Sequence, residues 1–429
     1  IPEWMMERFQ LVDFNHSDFG APALAMMADA AGNDVVGTMG GYNWFITQMS
    51  YSMHNNPRGY ASLIPYWYLY MTVDRCNQLV AGLKDDAATA TKATVLADAY
   101  ALRAWSYLSL AQRYQFTYSG NESKPCVPLV DENNSAVLST TGVPRSTVAE
   151  VYDFILADLE KAIALLETDA TAQADICPSA PKMMVSAAAA YGLRARANLV
   201  MRRYSAAEAD ARKAIRLFGG EPYALSDIKP GSFCNINDKS WMWGLHLDES
   251  YPSYVTGNVA SFTSFMSPFC TAGYAAFDGR FINRMLFNSI PVSDVRRTLF
   301  FDADGLNAAL NDTQKDYFDQ MGLSRPYQNL KFGTVGAPGA FSYETLADFP
   351  MMRVEEMHYI VAEAMAMAGS VSGAGDYLAA FVKQYRDPSF SVPAGATAEQ
   401  LRDIIWEQRR IEFWGEGLSF YDLMRLEKG

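Results

Sequence analysis

Hydrophobic positions along this chain recur at helical spacing over long runs, lose that spacing past the midpoint, and regain it before the end. The densest run covers residues 183–218, MMVSAAAAYGLRARANLVMRRYSAAEADARKAIRLF, where eleven of 36 residues are alanine. So many small side chains let two antiparallel helices approach closely. The spacing predicts two helices hinged near 202–204. Ser205 with Glu208 three residues later predicts a capping box opening the second helix. Ala207, Ala211 and Ala214 then share one face, the small-residue spacing of a tetratricopeptide second helix. Such a pair cannot bury its apolar face alone and needs neighbours.

Those neighbours are legible in order. Residues 63–83 read as a helix carrying Trp67, Tyr70, Val73 and Asn77 on one stripe, with Trp67 expected inside. Residues 90–114 read as a second long helix. Thr147 and Glu150 form a capping box ahead of VAEVYDFILADLEKAIALLE. Helical spacing returns at 352–369 and 375–385. It returns again at 397–427, where Thr397 and Gln400 form another capping box and Leu401, Ile404, Ile405, Ile411 and Trp414 make the buried stripe. Helices are therefore expected over 97–114, 148–166, 185–201, 206–217, 354–368 and 401–414.

The segments between differ in kind. Residues 13–62 contain Gly32, Gly37, Gly40 and Gly41, which break any period. Their GTMGG run lacks both the lysine and the spacing of a phosphate loop. Residues 219–350 hold glycine, proline and aromatic punctuation. Within them SWMWGLHL alternates as a strand, placing Trp241, Trp243, Leu245 and Leu247 on one core-facing side. The expected architecture is mostly α: a superhelix of about four helix pairs (63–167, 183–218, 352–386 and 397–427) in one domain spanning 1–429. The two loop-rich segments, 13–62 and 219–350, form its irregular face.

Composition narrows the partners. Half of the 429 residues are hydrophobic and 13% are aromatic, enough for a large core. A net charge of −13 argues against nucleic acid, whose phosphates need clustered Lys and Arg. Cys76, Cys126, Cys177, Cys234 and Cys270 are scattered without a CxxC, so neither a disulfide framework nor a zinc site is expected. No apolar run approaches the ~20 residues that span a bilayer. The sequence opens at Ile1, and a removed upstream piece carrying a lipid anchor is the expected route to any membrane.

Catalytic patterns are sparse. Neither HExxH nor GxSxG occurs. His246 with Asp248 and Glu249 reads as a polar strand end in preference to a metal cluster. Asp302, Asp304, Gly305 and Asn307 resemble part of a calcium loop but lack its spacing and distal glutamate, so a polar turn is expected. Glu412 and Glu416, at i,i+4 beside Arg409 and Arg410, could be a glycosidase pair. Carboxylates set among arginines more often form an ion-pair lattice, and that is the reading adopted. No metal or other cofactor is expected.

The C-terminal run WEQRRIEFWGEGLSFYDLMRLEKG resembles the closing signature of the SusD/RagB family of outer-membrane nutrient-binding lipoproteins. Arg409, Arg410, Glu412, Glu416, Gly417, Asp422, Leu423 and Arg425 match it. Gln408, Gly415 and Ser419 stand where that family commonly has Glu, an aromatic and Arg. TVDRCNQLVAGL with Asn77, ADAYALRAWSYLSLAQRY followed by VPLV, PRSTVAEVYDFILADLEKAIALL, SDVRR and DFPMMRVEEMHYIVAEAMAMAG have counterparts in the same order. Members commonly continue to a further "PIP..E" element, whereas this sequence ends at Gly429.

The resemblance implies four tetratricopeptide-like helix pairs opposite a loop-rich face. It also implies a protein lipid-anchored at the outer surface of a Gram-negative outer membrane. Such a protein captures glycan and caps a SusC-like TonB-dependent transporter without catalysis. RagB-like members point instead to peptide or protein, and a glycosidase is the third reading. Sugar rings pack on flat aromatic faces while their hydroxyls bond polar neighbours. The candidate ligand residues are Asn43, Trp44 and Tyr60 in the first loop region, with Tyr251, Tyr254, Tyr274, Phe277 and Arg280 in the second.

Overall fold

The computed structural model describes residues 4–6, 16–38, 43–138, 140–167, 172–247, 261–334, 339–344 and 346–428. Its framework is a run of helices: α1 (Ala21–Ala31), α2 (Tyr60–Leu83), α3 (Ala90–Tyr114), α4 (Val148–Glu167), α5 (Ala187–Val200), α6 (Tyr204–Phe218), α7 (Val354–Met367), α8 (Val371–Tyr385), α9 (Ala398–Glu412) and α10 (Ser419–Leu426). From α2 to α8 each helix packs on the next, and α7 also carries α9. Helical repeats stack in this way because each unit buries its apolar face on its neighbour.

The small residues sit where their spacing placed them. Ala207, Ala211 and Ala214 are wholly buried where α6 meets its neighbours. α3 lies between α2 and α4 and is buried on nearly all sides. Arg103 of α3 ties the three together: it donates to Asp158 of α4 at 2.7 and 3.0 Å and to Asn77 of α2 at 2.7 Å.

Thr147 and Glu150 exchange the reciprocal bonds of a capping box, at 3.2 and 2.7 Å, as do Thr397 and Gln400. Ser205 does not cap α6. That helix starts two residues earlier than expected, at Tyr204, because Arg202 takes a left-handed φ of 57° and Arg203 N turns back to Asn198 O. Ser205 therefore lies inside the first turn, and Glu208 pairs with Arg212 instead. A capping box that the sequence reading missed, Asn311 with Gln314, opens the helix Asp312–Gln320.

Trp67 also departs from expectation. Its ring is 51% exposed on α2, while Tyr68, Leu69 and Val73 take the interior. Trp241–Leu245 is a strand, paired antiparallel with Phe349–Arg353, and both of its tryptophans are wholly buried. Among the described residues, no helix is long and apolar enough to cross a membrane.

Glu412 and Glu416 belong to a buried lattice, but with other partners than the adjacent arginines. Glu412 accepts from Arg386 (2.6 Å), Arg353 (3.0 Å) and Arg296 (3.2 Å). Glu416 accepts from Lys331 (2.6 Å) and Arg353 (2.8 Å). Arg409 binds Asp422 and Arg410 binds Asp34. Gln408 keeps a place in the lattice by accepting from Arg296. Ser419 donates to Asp34 at 2.7 Å. The lattice joins α7, α8 and α9 to the segments around 294–296 and 331.

Candidate functional site

Two short strands from distant segments build the site. Val35–Gly37 pairs antiparallel with Arg280–Ile282, Gly37 standing opposite Arg280. A Cβ at Gly37 would lie 2.9 Å from Cε of Met49, so a larger residue there would have to displace the flexible Met49 tip. This pairing sets the start of the first loop region against residues 274–280.

Arg280 is the bracket between them. It is 1% exposed and donates from Nη1 to the Asp278 and Gly279 carbonyls and from Nη2 to the Trp44 carbonyl, at 3.0, 3.3 and 3.3 Å. Asp278 Oδ1 lies 3.5 Å away and also accepts from Thr38 at 3.1 Å. Burial lowers the proton affinity of this guanidinium, against the pull of Asp278.

Trp44 is held between two residues in the left-handed region, Asn43 at φ 57° and Phe45 at φ 68°. Non-glycine residues adopt that conformation at a cost, and such positions cluster at binding sites. The Trp44 ring stacks on His16 with centroids 5.1 Å apart and planes 15° from parallel. It meets Tyr274 edge-on at 6.5 Å. The Tyr274 hydroxyl is hydrogen-bonded to His16 Nδ1. Beneath, Tyr274 stacks on Phe265 at 4.6 Å, and Phe45 meets Phe265 at right angles. Trp44 is half-buried, and its Nε1 is buried without a hydrogen-bond partner among the described residues.

The candidates therefore divide. Trp44, Tyr274 and Arg280 come together, with Asn43 flanking. Tyr274 (7% exposed) and Arg280 offer no free face: they support the cluster from below and are not platforms. Phe277 follows the turn Tyr274–Ala276 and is 67% exposed. Tyr60 stands apart, 40% exposed at the start of α2. Tyr251 and Tyr254 lie outside the described residues.

His16, Phe265, Asp278 and Thr38 were not anticipated. A single histidine, phenylalanine or aspartate in an irregular segment carries no period from which its contacts could be read.

The other candidate chemistry resolves into structural bonds. His246 Nδ1 is bonded to Asp348 at 2.7 Å, and Asp248 and Glu249 lie outside the described residues. Asp302 Oδ1 accepts from the Asp304 and Leu306 N–H groups, and Asn307 donates to the Thr298 and Phe300 carbonyls, which makes a polar turn.

Comparison with known proteins identifies the fold and the family. Residues 24–199 match the SusD-like family described as starch-binding and associating with the outer membrane, and residues 276–428 match the SusD family. The SusD-like protein P2 of Formosa agariphila is 24% identical over 383 residues, covering 84% of this chain and 70% of that protein. A SusD-like carbohydrate-binding protein from Bacteroides vulgatus superposes with a TM-score of 0.77 at 23% identity, covering 99% of this chain and 81% of its own. Surface glycan-binding protein A from Bacteroides thetaiotaomicron, solved with laminarihexaose, gives 0.66 at 18% identity, covering 100% and 88%. The two structural likenesses carry the fold, and the sequence matches carry the kinship: this chain belongs to the SusD/RagB family.

Proposed function

We propose that this protein binds oligosaccharide or polysaccharide at the Trp44 cluster, without catalysis, and delivers it to a SusC-like TonB-dependent outer-membrane transporter. The supporting observation is the half-buried Trp44 ring, stacked on His16 and propped by buried Tyr274, with exposed Phe277 three residues further along. An aromatic held rigid by its neighbours loses little entropy on meeting a sugar face. Surface glycan-binding protein A, which shares the fold, is solved with laminarihexaose. A β-glucan such as laminarin is therefore the first ligand to try.

The non-catalytic reading rests on Glu412 and Glu416. Both are buried and fully engaged by cations, which leaves neither free as an acid or nucleophile. The turn between α5 and α6 suits protein contact: Arg202 and Arg203 are about half exposed there, each with one long ion pair among the described residues, to Glu427 at 3.7 Å and Asp153 at 3.9 Å. Attachment at the outer surface through an N-terminal lipid completes the proposal. Calorimetric titration of the intact protein with a panel of soluble glycans tests the binding. Product analysis after long incubation with the same glycans tests the absence of turnover.

A further inference from the structure

A cavity of about 100 Å³ lies where α1 and the 416–425 segment meet α3, α5 and α7. It is lined by four arginines, Arg113, Arg196, Arg409 and Arg425. Three of these are matched. Arg196 binds Glu356 at 2.7 and 2.5 Å. Arg425 binds Glu363 and Asp422. Arg409 gives Nε and Nη2 to Asp422, at 2.7 and 3.3 Å, and its Nη1 is buried with no partner among the described residues. Arg409 as a whole is 4% exposed.

Arg113 has no carboxylate at all among the described residues. Its Nη2 donates to the Leu24 carbonyl at 2.6 Å, its guanidinium lies 5.4 Å from the Tyr421 ring centre, and its Nε is buried with no partner among the described residues. Buried N–H groups are rarely left unsatisfied, and where they look so an ion or water usually fills the gap.

The charges distinguish ion from water. Four guanidinium groups at this cavity face three carboxylates: Glu356, Glu363 and Asp422. Glu416 also lines it but belongs to the neighbouring lattice. There Arg296, Lys331, Arg353 and Arg386 balance Asp294, Glu355, Glu412 and Glu416. Asp29, within electrostatic range of Tyr421, accepts from Gly417 N and Ser419 N, and burial pushes its carboxyl up to about 8, which disfavours its charged form. The Arg113 guanidinium is thus left without a carboxylate among the described residues beside this cavity.

We propose that this cavity binds a small monovalent anion, halide or formate-sized, held by Arg113 Nε and Arg409 Nη1. Such an anion fastens α1 and the C-terminal segment to the helical array. This site is independent of the glycan reading.

The test uses the wild-type protein crystallised with sodium bromide. An anomalous peak inside the cavity, beside Arg113 and Arg409, is the expected result. Cavity density that is water alone, or bromide found only on the surface, overturns the proposal. In solution, melting temperature should rise by about 1–2 °C when sodium gluconate, too bulky to enter, is exchanged for bromide at equal ionic strength. Arg113→Gln should abolish that difference. A wild-type melting temperature indifferent to the anion also overturns the proposal, and neither wild-type measurement depends on the variant folding.

Discussion

Arg386 Nε donates to Glu412 Oε2 over 2.6 Å, and neither side chain is more than 2% exposed. The pair closes a lattice in which Glu412 also faces Arg353 and Arg296. Burial pushes the Glu412 carboxyl up, but these three arginines outweigh it and hold the group well below the usual carboxylate range. Removing one partner of a buried ion pair costs about 3–5 kcal/mol, because the other charge stays buried and uncompensated. Glu412→Gln should therefore lower the melting temperature sharply while any folded fraction binds glycan within a few-fold of wild type. Loss of binding without loss of stability would move Glu412 into the site. The sign with pH follows. A depressed carboxylate stabilises above its unfolded pKa, roughly 4.3, and that contribution fades as pH falls towards the folded value.

Asp29 has the opposite sign. Burial raises its carboxyl to about 8, against the two backbone N–H groups it accepts from. A group whose folded pKa lies above its unfolded one favours the fold most at low pH. Its contribution is lost as pH climbs through the folded value. Melting temperature should thus fall between about pH 5 and pH 8 in the wild type. Asp29→Asn, neutral throughout, should flatten that slope. Parallel profiles for the two proteins would show that Asp29 is not the group responsible.

Tyr274 and Phe277 are three residues apart and should behave differently. Tyr274 is buried against Phe265, so Tyr274→Ala should cost about 3–5 kcal/mol, the range for emptying a buried aromatic site. Phe277 is mostly exposed, and Phe277→Ala should leave the denaturant midpoint almost unchanged. Equal destabilisation by both would contradict this division.

How much of this was legible depended on whether the signal was periodic. Capping boxes at Thr147 and Thr397, the alanine face of α6 and the strand around Trp241 and Trp243 are local, and the structure has each of them, though the strand is buried on both faces. The Ser205 cap failed because a left-handed Arg202 starts α6 two residues early, and no spacing announces that. Trp67 was placed inside by a stripe drawn too coarsely, since Tyr68 and Leu69 beside it take the core. Arg386 and Arg353 as partners of Glu412, and His16 as partner of Trp44, come from segments far apart in the chain. Such pairings have no period to read. Tyr274 and Arg280 were chosen from the right segment, but sequence could not tell a ring that meets solvent from one beneath it.

The central claim is that Trp44 presents a sugar-binding face. Isothermal titration of wild type and Trp44→Ala with laminarin and a panel of other soluble glycans tests it most directly. The account predicts saturable wild-type binding to at least one glycan. It also predicts affinity at least tenfold weaker in the variant, about 1.4 kcal/mol, with melting temperature little changed. Equal affinity in the two proteins, or a wild type that binds peptide and no glycan, would contradict it.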